Sequence, residues 1–233
     1  TPDGRSGIAV LLFAMDSKGL AKQVLRRVGQ CILTSPTTAC FSGLESDEKI
    51  DLGNAIRYFG DGFQVSKKIN DKKIWRIPVM EGEFVIEDKT SITKGIGGGN
   101  ILIIGDSNQE VLKSAEAAVK EMRKVNNIIL PFPGGIVRSG SKVGSKYKSL
   151  IASTNDAYCP TLKGITKTKL SKSNESVLEI VIDGTNEKDI SLAMKKGINI
   201  ICKKFNKGIK SISAGNYGGK LGPYHFHLRK IMK

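Results

Sequence analysis

The chain has 233 residues, more than one typical domain and enough for two small ones. Apolar residues make up 39% and charged residues 25%, which excludes a disordered chain, and the longest strictly apolar run, 8–15, is too short to span a bilayer. With 37 Lys and Arg against 22 Asp and Glu, the formal charge is +15, so an anionic partner is expected: nucleic acid, a membrane surface or polyanionic small molecules.

The opening TPDGRSG has neither a basic n-region nor an apolar h-region, so no secretory signal is visible. A chain that opens on Thr1 rather than Met is expected to lack its true start. Cys31, Cys40, Cys159 and Cys202 are far apart and form no C-x-x-C, which argues against zinc and redox pairs and for reduced thiols in a cytoplasm.

Hydrophobic periodicity predicts three strand–helix units. The first is IAVLLFAM (8–15) followed by a helix around 18–30, with Leu20, Val24, Leu25 and Val28 on one stripe. Further strands are expected at KIWRIPVM and GEFVIED, the latter opening the second unit. That unit has NILIIGDS (100–107) and a helix from about 108 to 124, started by Ser107 or Asn108 as a cap for its free amides. The third has VLEIVIDGT (177–185) and a helix from about 187 to 204, striped by Ile190, Ala193, Met194, Gly197, Ile198 and Ile201. Units two and three each continue into a second short strand (IILPF; KSISA) and a glycine pair. The fold class expected is α+β: two ferredoxin-like (split βαβ) lobes, the first (1–83) incomplete and N-terminal, the second 84–233.

Gly95-Ile-Gly-Gly-Gly99 precedes a strand, whereas a dinucleotide fingerprint follows one, so a close-packed turn or an open approach for substrate is expected instead. Residues 131–164 are the densest unusual segment. Pro131 and Pro133 stiffen the entry, Gly134 and Gly135 permit positive φ, and Ser139, Gly140, Ser141 and Lys142 present small donors able to bind anionic or carbonyl oxygens. Within 138–172 eight basic residues face one acid, Asp156, which fits either a solvated face or an anion-attracting loop. Ser153, Thr154, Asn155 and Asp156 follow an apolar LIA and form either a turn or part of a site; Asn216 and Tyr217 lie in another tight loop. His225 and His227 share one face of an expected strand, half-exposed and without a third metal ligand in sight.

Glu179 is the most informative acid. In VLEIVID it shares a strand face with Val181 and Asp183, so it is either a partly desolvated proton carrier or a glutamate turned to solvent or a lysine.

Taken together, VGQCILTSPTTACF (28–41), FGDGF (59–63), IPVMEGEFVIE (77–87), GGGNILIIGDSNQEVLKSAEAAV (97–119) and PFPGGIVRSGSKVG (131–144) resemble the formylmethanofuran:tetrahydromethanopterin formyltransferase family. ASTNDAYCPTLKG (152–164), EIVIDG (179–184) and SAGNYGGKLGPYHFHL (213–228) continue the resemblance in order. It implies a cytoplasmic homotetramer, a dimer of dimers, that transfers a formyl group with methanofuran and tetrahydromethanopterin as cosubstrates and no metal or prosthetic group. It implies an acid–base role for Glu179 and a cleft involving Gly134, Gly135, Ser139, Ser141 and Lys142. It also implies that the first half of the N-terminal lobe is missing here. The short linker SGSKVGSKYKS resembles the form in methylotrophic bacteria, where the subunit belongs to a formyltransferase/hydrolase complex, while hyperthermophilic members are acidic and this chain is not. Two other readings stand beside it: a catalytically idle scaffold in such a complex, and a ferredoxin-like RNA-binding module. The second lacks an RNP1 run and, at 6% aromatic residues, stacking platforms, so neither nucleic acid nor membrane is the expected partner.

Overall fold

The computed structural model describes residues 1–205, 207–215 and 222–233. The chain divides into two units, Thr1–Lys94 and Gly95–Lys233.

In the first unit, helix α1 (Ser17–Arg27) is capped by Asp16, whose carboxylate accepts from Gly19 N at 2.7 Å, and runs into a π-helical turn at Val28–Ile32. There follow β1 (Ala39–Cys40), β2 (Lys49–Asp51), a short helix α2 (Gly53–Ile56), β3 (Val65–Ile69), β4 (Lys72–Val79), β5 (Gly82–Glu87) and β6 (Lys89–Ser91). The main sheet has the order β1-β5-β4-β3, with β1 parallel to β5, and β2 pairs separately with β6. The β3–β4 hairpin turns on Asn70 and Asp71, both at positive φ, which such residues tolerate and a two-residue hairpin turn requires. Trp75 and Ile77 of β4 and Phe84 and Ile86 of β5 are buried with Val24 of α1 and Val28 of the turn that follows it.

One expectation changes here. Residues 8–15 form no strand: among the described residues no strand bonds to them, and Ile8 and Met15 stand exposed. An unbroken apolar run reads as a strand covered on both faces, and this unit supplies no such cover. Gly82–Glu87, expected as the opening strand of the second unit, sits in the sheet between β1 and β4.

The second unit contains β7 (Ile96–Gly105), α3 (Asn108–Met122), β8 (Ile128–Ile129), the hairpin β9 (Ser141–Val143) and β10 (Ala152–Thr154), β11 (Ser176–Gly184), α4 (Glu187–Lys204), β12 (Ile209–Ser213) and a short α5 (Leu228–Ile231). Its sheet runs β12-β7-β11-β8, all neighbours antiparallel. Two β-α-β segments interleave in this way, the split βαβ arrangement. Ser107 accepts from Glu110 N to start α3, and Asn186 accepts from Asp189 N to start α4. Ile101 and Ile103 of β7 and Ile180 and Ile182 of β11 are fully buried with Val111, Ala115, Ala118 and Met122 of α3 and Ile190, Ala193, Met194 and Ile201 of α4. Gly99 makes the fit possible: a Cβ there would stand 2.4 Å from Cγ2 of Ile190. The glycine-rich approach to β7 is therefore a close-packing device. The second strand of α3's unit is only two residues long because Pro131 and Pro133 follow and cannot donate to a ladder.

Candidate active site

Along a strand alternate residues share a face. The β7–β11 register sets Leu102 opposite Glu179 and Asn100 opposite Val181. Since Ile101, Ile103, Ile180 and Ile182 pack with the helices, Asn100, Leu102 and Glu179 occupy the face away from them. The chain after Pro133 returns along the edge of β11. Val137 N donates to Glu179 O at 2.7 Å and Glu179 N to Val137 O at 2.9 Å. Glu179 is only 7% exposed. Its Oε1 accepts from Asn100 Nδ2 at 2.9 Å, and Oδ1 of Asn100, itself buried, accepts from Gly215 N at 3.0 Å. Burial pushes the Glu179 carboxyl above the usual carboxylate range, and the Asn100 bond opposes part of that rise.

Glu179 lines a cavity of about 80 Å³ with Leu102, Val137, Arg138, Ser139, Gly140, Thr154, Asn155, Tyr158, Cys159, Pro160, Val177 and Leu178. A water occupies about 30 Å³ of liquid, so the space suits a group the size of a small amide. A larger, open groove of about 470 Å³ adjoins it, lined by Phe132, Pro133, Ile136, Val137, Arg138 and Ser139. Val137, Arg138 and Ser139 line both. The cavity floor is thus apolar sheet, with one carboxyl set into it, one guanidinium-bearing residue at its junction with the groove, and backbone and hydroxyl groups from the overlying loops.

Of the residues singled out from sequence, Glu179, Ser139, Gly140 and Asn155 meet in the cavity, and Pro133 and Ser139 in the groove. Gly134 and Gly135 form the turn that redirects the chain, at φ 67° and 85°; Gly135 is packed against Val119. Neither lines the cavity or the groove. Ser141, Lys142 and Ser153 lie in the β9–β10 hairpin, where Lys142 pairs with Asp156 and Ser153 Oγ donates to Gly144 O at 2.7 Å. The Lys142 ammonium holds the Asp156 carboxyl below its usual range. Lys142 is therefore engaged by an acid rather than presented to the cavity. Asn216 and Tyr217 lie outside the described residues.

Asn100, Arg138, Tyr158 and Cys159 were not singled out by their chemistry. Asn100 could have been found only from the register between two strands far apart in sequence. Tyr158 follows Asp156 in a 3₁₀ turn, and its hydroxyl lies 3.2 Å from Ser213 Oγ. His225 and His227, expected on a strand, lie in irregular chain before α5 with their rings stacked at 6.0 Å. Among the described residues no three His, Cys, Asp or Glu side chains gather as a metal site. Among them, too, no helix is long and apolar enough to cross a membrane.

Two family models match the chain, one for formylmethanofuran-tetrahydromethanopterin formyltransferase over residues 1–79 and one for the proximal lobe of that enzyme over 82–231. The split βαβ unit with its buried carboxyl thus belongs to a formyl-group transferase. A Methylococcus capsulatus formylmethanofuran–tetrahydromethanopterin formyltransferase is 60% identical over the whole chain, which spans 78% of that relative. A subunit of the formyltransferase/hydrolase complex of Methylorubrum extorquens is 50% identical over the whole chain, which spans 77% of it. The crystal structure of the Methylorubrum extorquens complex with methylofuran superposes with a TM-score of 0.85 at 48% identity, covering 94% of this chain and 73% of the matched one. The chain belongs to the formylmethanofuran–tetrahydromethanopterin formyltransferase family.

Proposed function

We propose that this chain moves a formyl group between formylmethanofuran and N5 of tetrahydromethanopterin by direct acyl transfer, with Glu179 carrying the proton. Family membership supports the reaction. The observation that carries the role of Glu179 is a carboxyl buried in a small cavity beside an open groove, its proton affinity raised by that burial.

The chemistry sets the requirements. The attacking amine nitrogen forms a bond to the formyl carbon and loses a proton; the C–N bond to the departing nitrogen breaks, and that nitrogen gains a proton. Between the two steps the carbonyl oxygen bears negative charge. A carboxyl whose proton affinity is raised by burial takes the first proton and returns it to the leaving nitrogen. Donors of the 137–140 loop and Arg138 surround the same space and would stabilise the oxyanion. The small cavity receives the formamide end, and the adjoining groove receives the bulk of a coenzyme. The cosubstrates are methanofuran and tetrahydromethanopterin, with no prosthetic group in the scheme.

The chain acts in the cytoplasm, as a homotetramer built from dimers or as a subunit of a formyltransferase/hydrolase complex. The 50% identical relative from the Methylorubrum extorquens complex supports the second arrangement. Purified natural enzyme, free of other subunits, is expected to form formyl-tetrahydromethanopterin when followed by ultraviolet absorbance. Absence of turnover in a folded protein would favour a scaffold role instead.

A further inference from the structure

We propose that Asn100 is the positioning residue that fixes which oxygen of Glu179 holds the mobile proton. The inference rests on the proposed role of Glu179 as proton carrier.

Asn100 is 6% exposed, and its amide has no freedom to turn over. Oδ1 accepts the backbone N–H of Gly215 at 3.0 Å, so Nδ2, which only donates, is forced toward Glu179 Oε1 at 2.9 Å. An oxygen that already faces an N–H donor cannot itself carry a proton along that line. Oε1 is therefore an acceptor in both charge states of the glutamate, and the proton of the neutral acid resides on Oε2. Among the described residues Oε2 has no hydrogen-bond partner. A free carboxyl exchanges its proton between two oxygens; here the exchange is blocked, and the proton sits on the oxygen not engaged by the sheet. The backbone of Glu179 is held as well, by its paired bonds to Val137. The carboxyl is thus held both by its backbone and by one oxygen, and the other oxygen is left for substrate.

The same bond sets the charge balance. Nδ2–H stabilises the ionised form against the desolvation that opposes it. The titratable and charged groups sharing the cavity are Arg138, Tyr158 and Cys159, and Asp183 lies further along β11, accepting from Gly98 N. None of these donates to Oε1. Removal of Asn100 therefore acts on Glu179 by a route the rest of the cavity cannot replace.

The test is the pH dependence of kcat and kcat/KM in the natural enzyme for Asn100→Asp, Asn100→Ala and Glu179→Gln. Asn100→Asp keeps an acceptor for Gly215 but turns a carboxylate toward Oε1, so it carries the test even if Asn100→Ala does not fold. Both Asn100 variants are expected to lower kcat by at least about tenfold, the equivalent of one hydrogen bond to a charged group. Both are also expected to move the pH limb governed by Glu179 to higher pH, Asn100→Asp the further. A loss of packing alone would lower activity without moving that limb. Folded Asn100 variants with an unshifted limb and near wild-type kcat would overturn the inference. If Glu179→Gln is inactive while the Asn100 variants are unshifted, only the role of Asn100 fails; if Glu179→Gln retains turnover, the role of Glu179 fails first.

Discussion

Glu179, the proposed proton carrier, also bears on the stability of the fold through its burial. Burial raises its folded-state pKa above that of the unfolded chain, so between the two values the native state binds more protons than the unfolded state. Stability contributed by this group is therefore present at low pH and is lost as pH rises through that interval. Glu179→Gln abolishes the titration. Its melting temperature is expected to match wild type near about pH 4, the ordinary glutamate range, and to exceed it near about pH 8. Melting curves for both proteins across that span check the sign; a variant that loses stability as pH rises relative to wild type would contradict it. The sequence showed that Glu179 shared a face with Val181, since alternation along one strand is a local property. It left open whether the carboxyl was desolvated or turned to solvent or a lysine. The structure buries it, and its Asn100 partner comes from another strand, far away in sequence.

At the scale of elements, the strand–helix units around α3 and α4 were legible because both helices are striped and capped by residues adjacent in sequence. Asn186 and Ser107 occupy the capping positions, and the buried residues of α4 are the ones its periodicity marks. The unit at 8–15 failed for the opposite reason. Its apolar run carries no information about a partner strand, and among the described residues none bonds to it. Turn glycines were legible at Gly134 and Gly135, where proline and glycine pairs announce a change of direction, whereas Gly99 lies within β7 and the residue it packs against was not legible. There the requirement comes from Ile190 on α4, which leaves no room for a Cβ. Gly99→Val is expected to destabilise the fold by roughly 1–3 kcal/mol, the usual range for overpacking a close-fitting core. A lowered denaturant midpoint at unchanged slope measures it, and a wild-type midpoint would show that α4 can move aside.

For the whole molecule, the excess of +15 no longer points to nucleic acid once the chain belongs to a family of coenzyme-dependent transferases. Part of it is local: Arg138 borders the cavity and groove, whereas Lys142 is neutralised by Asp156 and does not contribute freely. Attraction between exposed charges weakens over a Debye length of about 8 Å at physiological salt. The KM for an anionic coenzyme is accordingly expected to rise with ionic strength while kcat changes less. Steady-state kinetics across a salt series checks this, and a salt-independent KM would restrict the charge to solubility.

The proposed mechanism turns on one event, proton transfer through the buried carboxyl of Glu179. Its most direct test is the rate of formyl-tetrahydromethanopterin formation, followed by ultraviolet absorbance, for natural enzyme and Glu179→Gln. General acid–base catalysis is worth roughly 10²–10⁴-fold, so the variant is expected to lose at least about a hundredfold in kcat while remaining folded. Turnover close to wild type would remove Glu179 from the mechanism.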